Sequence, residues 1–419
     1  MVKLSRGDRD ILRIYSQEYL SELETGPHYS VYYPGFSEEN DVSYDLSKPI
    51  QDFLKINLDR GGLTGFISSE AAHFLSQSET YDPQHRGLGT LSEYINVRDA
   101  SNEFANIFVQ LPFNYKLMWR SGNIFSGLSL KKMKIDFSQS FSIISSDLLP
   151  QQNLNMTSKF KDTTHRINSE LNDEDLLSLP TEGVYFLGSD SGYIDGGYDS
   201  DLFHVFLDNC KAFYGAGIAL GMWHYIGFMG GNETKFVLSF EQREKNSSFY
   251  LGHLHTPDRD LNSLYNEIFL TKRRRETWHS DSPDLYSDIE RLKPVFCGEH
   301  SQKLRTSSIW FLRSHSSENL IDKLLFAIIS LEVMLGDRQE SDRVGLTSLL
   351  ANRGAYMIRR SAKERSDVLK LFKDLYSLRS KVMHSGTMTA SKGENFLINK
   401  GLVLIGEVLA HEISFAHEV

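Results

Sequence analysis

Cysteine is almost missing from this chain: Cys210 and Cys297 are its only two thiols in 419 residues. So few, so far apart, exclude a disulfide-stapled scaffold and a CxxC-type zinc site, and they suit a reducing, cytoplasmic compartment. Long apolar runs are missing too. The longest stretch without charge, Ala212 to Asn232, holds six glycines and His224. Such a segment packs inside a protein better than it faces lipid, so no membrane is expected as a partner. Arg9, Asp8 and Asp10 interrupt the place where an export signal needs its apolar core. There is no internal repeat and no low-complexity tract. There is no basic excess either, because the formal net charge is −10; the whole chain is not a nucleic-acid coat. A 40% hydrophobic and 24% charged composition excludes wholesale disorder.

What is present is unevenly divided. Residues 301–419 carry 17 Lys and Arg against 13 Asp and Glu, so the acid excess lies entirely in the first 300 positions. Ten basic residues fall between Arg343 and Lys381, opposed there only by Glu364, Asp367 and Asp374. A basic block on an acidic chain has the charge of a phosphate-binding module, and equally that of a solvated helix face.

The chain is read as α+β, with a mixed, strand-containing region at 1–299 and an all-helical bundle at 300–419. Met133, Ile135, Phe137, Phe141 and Ile143 keep one parity, as a half-buried hairpin does. Phe236, Leu238 and Phe240, a polar turn from Glu244 to Ser248, then Phe249 and Leu251 predict a second hairpin. Ile11 to Leu23 has helical spacing. Gly188 to Asp201 reads as a long turn-rich loop, and Arg273 to Asp288 as a polar surface connection. Asp190, Asp195, Asp199 and Asp201 do not keep the spacing of a calcium-binding loop. His253 and His255 share one strand face without a third metal ligand at useful spacing. No metal and no cofactor is expected.

From Ser317 the period becomes helical. Leu320, Leu324, Ile328, Leu331 and Leu335 make a first helix that Gly336 ends. Ser341 and Asp342 are capping candidates for a second, through Leu346, Leu349, Leu350 and Tyr356. Val368, Leu371, Phe372, Leu375, Leu378 and Val382 mark a third, and Phe396 to Ile413 a fourth. Short connections between amphipathic helices predict a compact bundle. Glu332 is an acid on an apolar helix, so it needs a cation, and Arg353 and Arg379 are the candidates.

The third helix ends in Leu375-Tyr-Ser-Leu-Arg379-Ser-Lys-Val-Met-His384-Ser-Gly386. With the Glu332 helix "SLEVMLG" and the Arg353 helix "LLANRGAYMI" upstream, this Arg-x4-His element resembles the HEPN superfamily, most closely its Apea-like branch, over roughly residues 300–415. The resemblance implies a metal-independent endoribonuclease that works as a homodimer through its bundle, with tRNA or other structured RNA as target and a role in antiphage defence by abortive infection. It implies Arg379 and His384 as catalytic residues, with Glu332, Arg353, Ser380 and Tyr376 in support. Arg359, Arg360 and Lys381 are RNA-binding candidates. The first 300 residues would sense an unknown trigger or position the substrate.

The residues suit that chemistry. An RNA strand can be cut by its own 2′-hydroxyl attacking the adjacent phosphorus, which leaves a 2′,3′-cyclic phosphate. A guanidinium can hold the phosphate as charge builds, and an imidazole can exchange protons near neutral pH. Five positions on a regular helix, however, set two side chains about 140° apart. A bend at the helix end, or a two-fold dimer, would bring them to one phosphate. The sequence also departs from the superfamily, whose nucleases commonly place Asn, Asp or His where Ser380 stands; serine does not ionise near neutrality. The alternative is a non-catalytic module that dimerises and binds a ligand or protein, as inactive relatives do.

Overall fold

The structure is a computed structural model, and it describes residues 5–26, 30–32, 47–58, 62–82, 89–108, 110–125, 128, 130–158, 180, 182–194, 200–226, 236–278, 283–336, 345–385 and 389–418. The protein is mixed α+β, with a seven-stranded sheet in the N-terminal half and helices throughout the C-terminal part. The first helix, α1 (Arg6–Glu22), starts earlier than its apolar spacing predicts. Ser5 and Asp8 form a reciprocal capping box that supplies the start. Helices α2 (Gly62–Gln77) and α3 (Val97–Phe108) pack beside α1.

The sheet strands are β1 (Phe113–Arg120), β2 (Lys134–Asp136), β3 (Phe141–Ser145), β4 (Leu154–Ser158), β5 (Val184–Gly192), β6 (Val237–Gln242) and β7 (Phe249–His255). Their order is β2-β3-β5-β1-β6-β7-β4, antiparallel except for the β7–β4 pair. Both hairpins predicted from alternation, β2–β3 and β6–β7, are present. Strand parity explains the two-sided burial. Trp119, Phe141 and Phe186 meet Phe206, Phe213 and Tyr214 of helix α4 (Asp201–Ala219) on one face. Met118, Tyr185, Leu187, Leu238 and Phe240 form a second apolar cluster on the other.

Two sequence expectations are corrected. Gly188 to Gly192 is the end of strand β5, not the start of a loop, because β1 pairs with it along its full length. Arg273 to Asp288 is not a surface connection throughout: Trp278 is buried, and Arg274 of a short helix (Lys272–Thr277) is ion-paired with the buried Asp288. Asp195 and Asp199 of the acidic loop lie outside the described residues. His255 packs against Phe203 and Ser239, and no group of three or more His, Cys, Asp or Glu among the described residues could hold a metal ion. Among those residues, no helix is long and apolar enough to cross a membrane.

One buried charge network ties α2 to the sheet. Arg243 donates to both oxygens of Glu70 at 2.8 Å and also pairs with Glu241. Tyr193 donates to Glu70 at 3.2 Å and Tyr115 to Glu241 at 3.0 Å. Burial and the neighbouring carboxylates push both phenols up, so they stay neutral donors. Replacing Arg243 with Met leaves two buried carboxylates without their cation. The expected loss is about 3–5 kcal/mol, read as a lowered denaturation midpoint, with Glu70→Gln in the same background restoring part of it.

The C-terminal helices are α5 (Ser301–Ser316), α6 (Leu320–Leu335), α7 (Leu346–Ile358), α8 (Ala362–Ser385) and α9 (Lys392–Glu418). The last four match the predicted helices; Ser341, Asp342 and Gly386 lie outside the described residues. Helix α5 was not legible as part of the bundle, yet it joins the bundle to the sheet domain. It lies against α4, where a Cβ at Gly215 would sit 1.9 Å from the Ser308 carbonyl oxygen, so only glycine permits that approach. On its other side Ser307 and Ser330 exchange hydroxyl-to-carbonyl hydrogen bonds of 2.9 and 2.8 Å with α6. A single connected apolar core therefore runs across the 299/300 boundary. Helix α6 then presents Glu332 to α8.

Candidate functional site

Glu332 lies in the last turn of α6, which Gly336 closes by donating to the Glu332 carbonyl at 2.8 Å. Its neighbours Leu331, Met334 and Leu335 are buried, which holds the helix against the bundle and fixes where the carboxylate points. From α8, Tyr376 donates its hydroxyl to Glu332 Oε1 at 3.1 Å. Arg379 Nη2 stands 3.6 Å from the same oxygen. Tyr376 and Arg379 are three positions apart, one turn along the helix, so both reach one acid. The acid expected to need a cation has one. Arg353 instead reaches across from α7 to the carbonyl oxygen of Leu335, at 2.6 Å, and holds the end of α6.

The pair is only partly sheltered. The Arg379 side chain retains 37% of its exposure, and Glu332 retains 22%. Burial, the Glu332 charge and the hydrogen bond to it push the Tyr376 phenol up from its ordinary value. Tyr376 is therefore a neutral donor across the physiological range, and its bond occupies Glu332 without competing for Arg379's outward N–H groups. A guanidinium held loosely by one oxygen and open to water on its other side can accept a phosphate.

His384 is exposed, in the last turn of α8. The helix continues without a break through Ser385. Over these residues no break in the helix brings His384 round to Arg379. The regular rise separates their backbones by about 7.5 Å along the axis and about 140° around it. One chain therefore presents the two groups on different faces. Ser380 is exposed beside Arg379.

The three RNA-binding candidates have different surroundings. Arg359 donates to Glu407 of α9 at 2.6 Å, and Lys381 to Glu394 at 2.8 Å. Lys381 and the Ser391 hydroxyl and amide together hold the Glu394 carboxyl down to about 2, so Glu394 stays a carboxylate through any physiological pH. Arg360 is exposed. Lys363, Lys370 and Lys373, three of the ten basic residues counted between Arg343 and Lys381 but not among the RNA-binding candidates, are exposed on α8.

No protein-family model, curated protein or solved structure is matched by this chain. The functional reading rests on the residues and geometry of the chain itself.

Proposed function

We propose that the C-terminal helices form a HEPN-like endoribonuclease that cuts RNA by 2′-hydroxyl transesterification, without a metal ion or cofactor. The observation that carries the reading is Arg379, held by Glu332 and open to solvent, on a helix whose last turn exposes His384. Arg379 binds non-bridging phosphate oxygens and stabilises the charge that develops on them. His384 takes the 2′-hydroxyl proton or protonates the leaving 5′-oxygen. Because the two side chains leave α8 on different faces, the working site combines Arg379 of one protomer with His384 of a second, in a two-fold dimer through the bundle. Structured RNA such as tRNA is the proposed target, self-limiting growth during phage infection the proposed role, and the N-terminal region the proposed receiver of the trigger.

The test uses purified full-length protein, mixed cellular RNA and EDTA. Fragments with 2′,3′-cyclic phosphate ends, missing for His384→Ala, are expected. RNA left intact, with and without phage-infected cell extract as a source of trigger, would favour the non-catalytic binding module. In that reading Glu332 neutralises Arg379 as a structural pair, consistent with Ser380 at the position where superfamily nucleases carry Asn, Asp or His.

A further inference from the structure

Helix α8 segregates its charges around its circumference. Lys363, Lys370, Lys373, Ser377, Ser380 and His384 are all exposed and recur at intervals of three, four or seven. That spacing lines them up along one stripe of the helix, about 31 Å long at 1.5 Å per residue. Of the carboxylates of α8, Asp367 and Asp374 stand four positions after Lys363 and Lys370 and border the stripe on one side. Glu364 caps the helix start through Ser361, and Asp367 and Asp374 line the groove between α8 and α9. Lys370 sits at the rim shared by groove and stripe. Among the described residues, none of the three lysines makes an ion pair, whereas Arg359 and Lys381 do.

We infer that this stripe is the track that binds the RNA sugar–phosphate backbone and leads it to His384, an inference that rests on the ribonuclease reading above. Three unpaired ammonium groups and a series of hydroxyls are phosphate donors, and they outnumber the two aspartates at the edge of the stripe. It also holds no large apolar side chain, which a protein partner would need at the centre of an interface. The uninterrupted helix and the regular spacing fit a repeating anion better than a folded acidic surface. The track ends at the imidazole assigned to proton transfer, so binding along it places a phosphodiester beside His384.

The experiment measures binding apart from cleavage. In the His384→Ala background, full-length protein is titrated against a labelled 30-nucleotide RNA at several salt concentrations. Lys363→Gln/Lys370→Gln/Lys373→Gln is expected to bind at least tenfold more weakly at 0.1 M salt. Its slope of log affinity against log salt should be shallower by about 2, from about 0.7 per phosphate contact on a single strand. A control triple at exposed lysines elsewhere, Lys48→Gln/Lys55→Gln/Lys303→Gln, carries the same net charge and is expected to bind as its parent does. Equal affinity and slope for the stripe triple and its parent would overturn the track and leave the nuclease intact. Equal losses in both triples would overturn it too, by showing that net charge alone matters. A parent that binds no RNA at low salt would overturn the track and the nuclease reading together.

Discussion

Replacing His384 with alanine is expected to lower RNA cleavage by about 10³-fold, read as the initial rate of cyclic-phosphate product at saturating RNA. The expectation follows from where the imidazole stands. It is exposed at the end of a long helix, so its removal leaves no cavity and no unpaired buried group. A loss of rate with an unchanged denaturation midpoint therefore reports chemistry and not folding. Arg379→Ala is expected to cost a similar factor, because a pre-positioned cation at the developing charge contributes about 10²–10³. Arg379→Lys should recover little, since an ammonium cannot engage two phosphate oxygens in a fork. Tyr376→Phe is the informative neighbour. It removes one hydrogen bond to Glu332 and leaves the acid to draw Arg379 inward, so RNA affinity should fall while His384 chemistry persists. Cleavage by His384→Ala at the parent rate would remove the imidazole from the mechanism.

How much of this was readable in advance depended on which physical signal each element carries. Four C-terminal helices follow from apolar spacing because leucines and isoleucines do the packing, and the two sheet hairpins follow from strict alternation. Helix α5 does not, because serines take up half of its buried face, beside Leu304, Phe311 and Leu312. Ser307, Ser308 and Ser314 are fully buried, yet each satisfies its hydroxyl on a main-chain carbonyl, of its own helix or of α6. A hydropathy pattern scores them as polar surface and loses the helix. The same blindness hides the Arg243 network, whose members lie far apart in the chain and meet only when α2 settles on the sheet. At the candidate site the Glu332–Arg379 pairing was legible, since an acid on an apolar helix needs a cation. The direction of His384 was legible only as an angle. The helix supplies its value by continuing through Ser385, and under the proposed mechanism a second protomer would provide the convergence.

Mixing two dead variants is expected to restore activity if the site is shared between protomers. Arg379→Ala protein lacks the phosphate clamp, and His384→Ala protein lacks the proton-transfer group, so each alone should fall about 10³-fold. In a two-fold dimer the two sites are equivalent, each built from the arginine of one chain and the histidine of the other. After equal amounts are unfolded together and refolded, about half of the dimers contain one chain of each kind. In such a dimer one site receives both substitutions and the other receives none. The mixture should therefore recover about a quarter of the unsubstituted rate, several hundred times either variant alone. A site built within one chain gives the opposite result, because every chain in the mixture is then defective and no pairing repairs it. Recovery should also depend on chain exchange: the two proteins mixed without refolding should stay inactive for as long as their dimers persist. A mixture that remains dead after verified exchange would break the shared-site mechanism, and with it the only arrangement in which an uninterrupted α8 can bring both groups to one phosphate.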